Sequence, residues 1–353
     1  MSHPMNAAVE KLLKEGTVIP AHPLVLDAAL KMDEERQRRL TRYYIAAGAG
    51  GVAVGVHTTQ FSIRKPEFNL LEPVLRVVAD EIDKASLGRP FIKVAGICGP
   101  TAQALKEAEL AIKHGYHLGL LSMGGLDKYS EAELISHAKL VAEMMPVFGF
   151  YLQPAVGGRL LSYSFWRDFA EIPNVRAIKV AAFNRYQTLD VVRAVCHSSR
   201  HHEIALYTGN DDNIVADLLT PYQFNIGGKT IEKRFAGGLL GQWAVGTRSA
   251  VALLDEIKIC LSNHYAGVEN LLTRNISMTD LNAAVFDVRN GFKGSISGIH
   301  EILRRQGLME NIYCLDGEEK LSEGQPGDID RVYKAYPGLT DEGFVKIFIV
   351  QNG

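Results

Sequence analysis

The chain has 353 residues, 47% of them hydrophobic and 22% charged, with a formal net charge of −2. That supports one large globular domain with an appendage. It leaves no basic footprint for nucleic acid and no polybasic patch for a membrane surface, and no apolar run is long enough to predict a bilayer span.

Residues 1–15 predict a polar, helical lead-in without a signal-peptide core. Thr17–His22 reads as a first strand, and Asp33–Ala47 as an amphipathic helix stopped by Gly48, Gly50 and Gly51. A second strand is expected over Val52–Val56 and a helix over Leu71–Ala85. Phe91–Ile97 follows as the third strand, and Thr101–His114 as a helix ending at Gly115. Leu118–Ser122 reads as the fourth strand, and Ser130 with Glu133 forms a capping box that opens the next helix. Val147–Gln153 is the fifth strand, with a short helix over Tyr163–Ala170. The sixth strand runs through Val175–Ala182, ahead of a helix over Tyr186–Cys196. The seventh is Glu203–Thr208, followed by helical Asp211–Leu219. The eighth strand begins within Gly238–Gly241, and Trp243–Leu261 is a long helix.

Eight βα units in about 250 residues point to a closed (β/α)8 TIM barrel over 16–262. An open doubly wound sheet is the alternative, but no GxGxxG follows the first strand. Residues 263–353 are helix-like without strands, a C-terminal helical appendage. Pro221–Phe235, with Gly227-Gly228 at its centre, reads as a hairpin inserted before strand eight. In a barrel it is expected at the bottom face, away from chemistry.

The four cysteines, Cys98, Cys196, Cys260 and Cys314, are far apart and form no CxxC. Neither disulfides nor a structural zinc site is expected, and a reducing cytoplasmic setting is the default.

In a barrel the chemistry comes from the C-terminal ends of the strands. Those ends carry His22, His57-Thr58-Thr59, Cys98, Ser122, Tyr151 with Gln153, Lys179, Thr208-Gly209 and Gly241. Lys179 is the most informative. It interrupts an apolar, β-prone run, where an ammonium is costly unless it is paired or reaches a polar cavity. Desolvation lowers a lysine pKa and yields a neutral amine able to attack a carbonyl. The plainer reading is a strand-end lysine with its amine in solvent.

The ordered set of motifs resembles the dihydrodipicolinate synthase/N-acetylneuraminate lyase superfamily of class I aldolases. His57-Thr58-Thr59-Gln60 falls where that family has Gly-Thr-Thr-Gly. Tyr151-Leu152-Gln153-Pro154 resembles its Tyr-Asn-x-Pro. Ile172-Pro173-Asn174 through Lys179 resembles its Leu-Pro-Asn-x-x-Gly-x-Lys, and Gly209-Asn210-Asp211-Asp212 its Gly-Asp-Asp turn. The resemblance implies that Lys179 forms a Schiff base with a pyruvate-like 2-oxo acid, and that Tyr151 shuttles protons. It implies that Thr58 and Thr59 hold the substrate carboxylate. Their places at strand ends make His57, His22, Gln153 and Gly209 further substrate-binding candidates. No metal and no other cofactor is implied, and the assembly expected is a homodimer or homotetramer.

The departures bear on the substrate. His57 replaces the family glycine, and Gln60-Phe61 replaces Gly-Glu. Gly124-Gly125-Leu126 stands where the synthase has a tyrosine pair. Val156 stands where it has an arginine, with Arg159 nearby but out of register. A different substrate from the synthase's is therefore expected. Rival readings are a barrel enzyme using His22 and His57 without a Schiff base, with zinc on these histidines and Cys98 as a variant, and a non-catalytic small-molecule-binding relative. His201-His202 reads as a solvated loop.

Overall fold

The structure, a computed structural model, describes residues 5–352. The lead-in is helix α1 (Ala7–Glu15), whose first turn is capped by the Asn6 side chain; residues 1–4 of the expected lead-in lie outside the described residues. Strand β1 is Val18–Pro20 and helix α2 Glu34–Ala46, capped by Asp33. Strand β2 (Gly51–Val54) stops before Gly55, whose φ of 76° breaks the extended chain. Helix α3 (Leu71–Lys84), β3 (Ile92–Ile97), α4 (Thr101–Lys113) and β4 (Leu118–Ser122) follow. The predicted capping box opens α5 (Glu131–Met144): Ser130 Oγ accepts from Glu133 N–H, and Glu133 accepts from Ser130 N–H. Then come β5 (Val147–Leu152), α6 (Tyr163–Ala170), β6 (Val175–Ala181), α7 (Arg185–His197), β7 (Ala205–Thr208) and α8 (Ile214–Leu219).

The inserted segment is an antiparallel hairpin, β8 (Tyr222–Ile226) and β9 (Lys229–Lys233). Gly227 and Gly228 turn it with φ of 57° and 79°, the left-handed pair a two-residue loop demands. The next strand, β10 (Phe235–Leu240), starts three residues before the Gly238 expected from sequence. Phe235 pairs with Leu206 through an irregular register, so its ladder role is hidden beside the hairpin. Helix α9 (Thr247–Ser262) starts later than expected, after Gly246 at φ 65°. The remainder is helical: α10 (Val268–Val285), α11 (Ser295–Arg305), α12 (Gln325–Ala335) and α13 (Glu342–Asn352).

Eight strands form one sheet in the order β1-β10-β7-β6-β5-β4-β3-β2. Its two end strands are joined by the parallel bridge Ala21↔Ala53, where His22 N–H donates to Ala53 O at 2.8 Å. This is the (β/α)8 barrel, with the C-terminal helical region, expected from sequence. By compactness the chain divides into two units. One holds the chain up to Thr17 with Ile92–Leu239; the other holds Val18–Phe91 with the chain from Leu240 onward.

In the second unit, Asp341 ahead of α13 gathers donors from α2 and α9. Tyr43 OH donates at 2.7 Å, Ser249 N–H at 2.9 Å and Ser249 Oγ at 2.8 Å. Both Tyr43 and Asp341 are buried, so the carboxylate depends on these donors. Tyr43→Phe should lower the stability measured by urea unfolding by about 1–2 kcal/mol; an unchanged midpoint would remove this anchor from the account.

Candidate active site

Side chains of β6 alternate, so Ala177, Lys179 and Ala181 share one face. In register, Lys179 lies between Phe150 of β5 and Tyr207 of β7. It is only 7% exposed. Its Nζ sits 4.4 Å from the centroid of the Phe150 ring, and it makes no hydrogen bond among the described residues. Burial pulls the amine down to about 8, with the Asp211 carboxylate pulling the other way. Roughly one amine in ten is then neutral at pH 7, against fewer than one in a thousand for an ordinary lysine.

The stem of Lys179 is held by a glycine. A β-carbon at Gly209 would come within 2.5 Å of Lys179 Cε and 2.8 Å of Ala181 Cβ. Gly209 N–H donates to Val180 O at 2.7 Å, which brings the end of β7 against β6. Two residues on, Asp211 is buried and supplies the charge that acts on Lys179. Asp211 appeared in the sequence only as part of a turn motif. An acidic pair after a strand that neighbours a buried lysine was the available signal.

Tyr151 does not stand with Lys179. Gly149 and Tyr151 lie on the opposite face of β5 from Phe150, toward α6. A β-carbon at Gly149 would meet Phe169 at 2.6 Å, and the Tyr151 ring packs 5.3 Å from that of Trp166. Its hydroxyl accepts from Leu161 N–H at 3.5 Å, and burial raises its pKa. The expected proton shuttle is therefore corrected: Phe150, not Tyr151, faces the amine. The other neighbour, Tyr207, commits its hydroxyl to Leu13 O at 3.0 Å. Gln153, at the end of β5, is buried with a side-chain amide that makes no hydrogen bond among the described residues. It keeps the donor and acceptor of a substrate contact.

Arg159 is also placed. Its guanidinium donates to Leu126 O at 2.7 Å and Tyr129 O at 3.1 Å. It ties the loop after β5 to the Gly124-Gly125-Leu126 loop after β4, and serves as a brace there.

The second unit holds the remaining predicted residues. His22 is fully buried, and both ring nitrogens are engaged. Nδ1 lies 2.9 Å from Pro23 O and 3.0 Å from Gln37 Nε2, and Nε2 lies 2.9 Å from Thr41 Oγ1. Desolvation lowers it to about 4. It is a neutral core histidine facing α2, which corrects its expected place in the substrate pocket and leaves no nitrogen for zinc. Thr58 Oγ1 donates to Ala21 O at 2.8 Å, and Thr59 Oγ1 to His22 O at 2.7 Å. Thr59 Oγ1 also accepts from Gly55 N–H at 3.0 Å. The hydroxyl protons expected for a substrate carboxylate are thus spent on holding the chain just past β1 to the turn after β2. His57 opens that turn, half-buried, with its ring 6.2 Å from Phe61. Gln60 has φ 68°, the left-handed conformation glycine favours, at the position where the resembled motif has glycine. Its Oε1 accepts from Leu315 N–H at 2.6 Å. No cluster of three His, Cys, Asp or Glu able to hold a metal occurs among the described residues.

The model of the Dihydrodipicolinate synthetase family matches residues 15–228. The chain belongs to this family. Among similar proteins, N-acetylneuraminate lyase 2 of Escherichia coli O6:H1 is 28% identical over 215 residues, 60% of this chain and 66% of the lyase. The N-acetylneuraminate lyase of Citrobacter koseri is 28% identical over 214 residues, 60% of this chain and 67% of the lyase. The match thus spans about two thirds of these relatives' length or slightly less. A dihydrodipicolinate synthase from Acinetobacter baumannii complexed with pyruvate superposes with a TM-score of 0.73 at 17% identity. It covers 90% of this chain and 98% of its own. An N-acetylneuraminate lyase from Fusobacterium nucleatum gives 0.69 at 16%, covering 91% and 99%. The chain shares the fold of these structures.

Gly209→Ala should displace the Lys179 stem and reduce the reaction of Nζ with a carbonyl reagent by about tenfold or more, while circular dichroism remains native. Equal reactivity would show that the turn yields. The buried histidines give a second expectation. His22 and His300 are both lowered to about 4 by desolvation. The unfolded chain binds protons there below about pH 6.5, and the folded chain does not until about pH 4. Stability from this source is complete above about pH 6.5 and is lost as pH falls toward 4. The urea midpoint should drop between about pH 7 and pH 5; a level midpoint would contradict it.

Proposed function

We propose that the chain is a Schiff-base-forming lyase of the class I aldolase type, acting on a pyruvate-like 2-oxo acid. The buried amine of Lys179, lowered toward neutrality and unpaired in hydrogen bonding, carries this reading. The neutral Nζ attacks the C2 carbonyl, and the carbinolamine loses water to give an imine. Once protonated, the imine accepts the electron pair released when the adjacent carbon–carbon bond breaks or when a proton leaves the adjacent carbon; the enamine so formed can return that pair to expel a hydroxyl group, protonated to water, from the next carbon, which breaks a carbon–oxygen bond. Proton transfer then falls to Asp211 and solvent rather than to Tyr151. Gln153 contacts the substrate from the end of β5. The family membership and the pyruvate named in a structural neighbour support the 2-oxo acid.

The altered positions around the Thr58-Thr59 turn and after β4 support a substrate other than the synthase's. We further propose a cytoplasmic homodimer or homotetramer, in keeping with four free cysteines. The orientation of Tyr151 favours one rival, a relative that forms the imine but does not turn over.

Borohydride with pyruvate should leave a reduced adduct on the Lys179 peptide, and Lys179→Ala should abolish it. The initial rate should rise as pH climbs through about 8, where the amine loses its proton. No adduct from folded protein with any 2-oxo acid would overturn the proposal; an adduct without turnover would select the rival.

A further inference from the structure

One buried carboxylate lies behind the Lys179 turn, and no step above uses it. Asp217 of α8 is completely buried. Its Oδ2 accepts from Thr208 Oγ1 at 2.7 Å and from Asn210 Nδ2 at 2.9 Å. Its Oδ1 accepts from Asn213 Nδ2 at 3.2 Å and from the Arg185 guanidinium, and the Tyr222 hydroxyl lies 3.5 Å away.

These donors come from four places in the chain. Thr208 ends β7, and Asn210 and Asn213 belong to the loop after it. Arg185 begins α7, and Tyr222 begins the inserted hairpin. A carboxylate without such donors is expensive to bury, so the set is mutually dependent. Thr208 and Asn210 flank Gly209, the residue pressed on the Lys179 stem. Asn210 also accepts from Phe183 N–H at 2.9 Å through Oδ1. Phe183 has φ 50°, a conformation that persists only when its surroundings hold it. The segment leaving β6 and the turn leaving β7 are therefore fixed to one another by Asn210, and to the protein by Asp217.

We infer that Asp217 is a positioning residue for Lys179: its carboxylate clamps the Thr208–Asp211 turn so that Gly209 pins the lysine stem and Asp211 stays beside the amine. The inserted hairpin contributes Tyr222 to the same carboxylate. This revises its expected separation from the chemistry. The groups facing Lys179 are Asp211 from the β7 turn, the Phe150 ring from β5 and Tyr207 from β7. Tyr207 remains a neutral phenol bonded to Leu13. Asp211 is the one charge among them, so freeing the turn removes the influence that opposes burial.

The inference rests on Lys179 as the reacting amine, and its test needs no imine. Lys179 is labelled competitively with acetic anhydride across a pH series, and its peptide is quantified by mass spectrometry. The wild type should show a midpoint near 8. Asp217→Asn offers one acceptor oxygen where the carboxylate has two, so the turn loses a donor pair. Its midpoint should fall by about half a pH unit or more, and borohydride trapping should slow about tenfold. Thr208→Val keeps the carboxylate, removes one donor and should shift the midpoint the same way by less; it carries the test if Asp217→Asn does not fold. A melting temperature that drops with an unmoved or raised midpoint in both variants would reduce Asp217 to a purely structural role and overturn the inference. A wild-type midpoint near 8 that falls in both variants, without imine trapping in any of them, would instead remove the proposed function and leave the clamp standing.

Discussion

The site depends on holding an amine where water cannot solvate it. At neutral pH a protonated Lys179 costs the fold on the order of 3 kcal/mol. The penalty lessens only as pH rises from about 8 toward the ordinary lysine value, because there the unfolded chain still binds the proton and the folded chain does not. A fold stable by only about 5–15 kcal/mol keeps such a group for a reason other than stability. The architecture around it fits that view. The strand neighbours are an aromatic face and a committed phenol, the next residue on its face is Ala181, and the contact on its stem is Gly209. None competes for the amine, and the nearby Asp211 charge keeps the amine from being suppressed further.

Small residues let the surrounding layers approach. Gly149 lets Phe169 of α6 lie against β5, and the aromatic group of Tyr151, Phe165, Trp166 and Phe169 fills the space between that strand and the helix. The same packing decides the direction of Tyr151. With Gly149 facing the helix, pleat alternation sends Tyr151 there too and Phe150 to Lys179. The residue that the family motif marks for proton transfer is, in this chain, part of the helix-facing core.

Much of this was readable before the structure. The strand–helix alternation predicted the barrel, and the charged interruption of Val175–Ala182 marked Lys179. The capping box at Ser130 and the glycine stop at Gly115 placed helix ends to within a residue. What escaped was parity and partnership. In Val147-Phe148-Gly149-Phe150-Tyr151-Leu152 both faces are apolar or aromatic, so period-two reading cannot say which aromatic points inward. His22 looked like a pocket residue because it ends a strand. Its partners Gln37 and Thr41 sit one helical turn apart on α2, a pairing visible only once that helix packs on the strand. Asp217 did carry a signal, an acid within Ile214-Val215-Ala216-Asp217-Leu218-Leu219. A charge in an apolar run deserves the same question that singled out Lys179.

One departure from the family motif has a visible structural partner. Gln60 has a left-handed backbone where the resembled motif has glycine, and its side chain holds Leu315, in the segment between α11 and α12. Asn311 of that segment donates to Leu26 O at 2.9 Å. A non-glycine residue at φ 68° is disfavoured by about a kilocalorie or more, so the bond to Leu315 gives the strain a local compensation. The turn at Gln60 and the C-terminal helical region are therefore tied together: the Gln60 side chain anchors the appendage through Leu315. Thr58 and Thr59 in the same turn spend their hydroxyl protons on the carbonyls of Ala21 and His22, just past β1. Side chains committed to holding the protein's own backbone keep the residue types of the motif without offering their hydroxyls to a ligand, which is why the motif alone does not reveal the substrate.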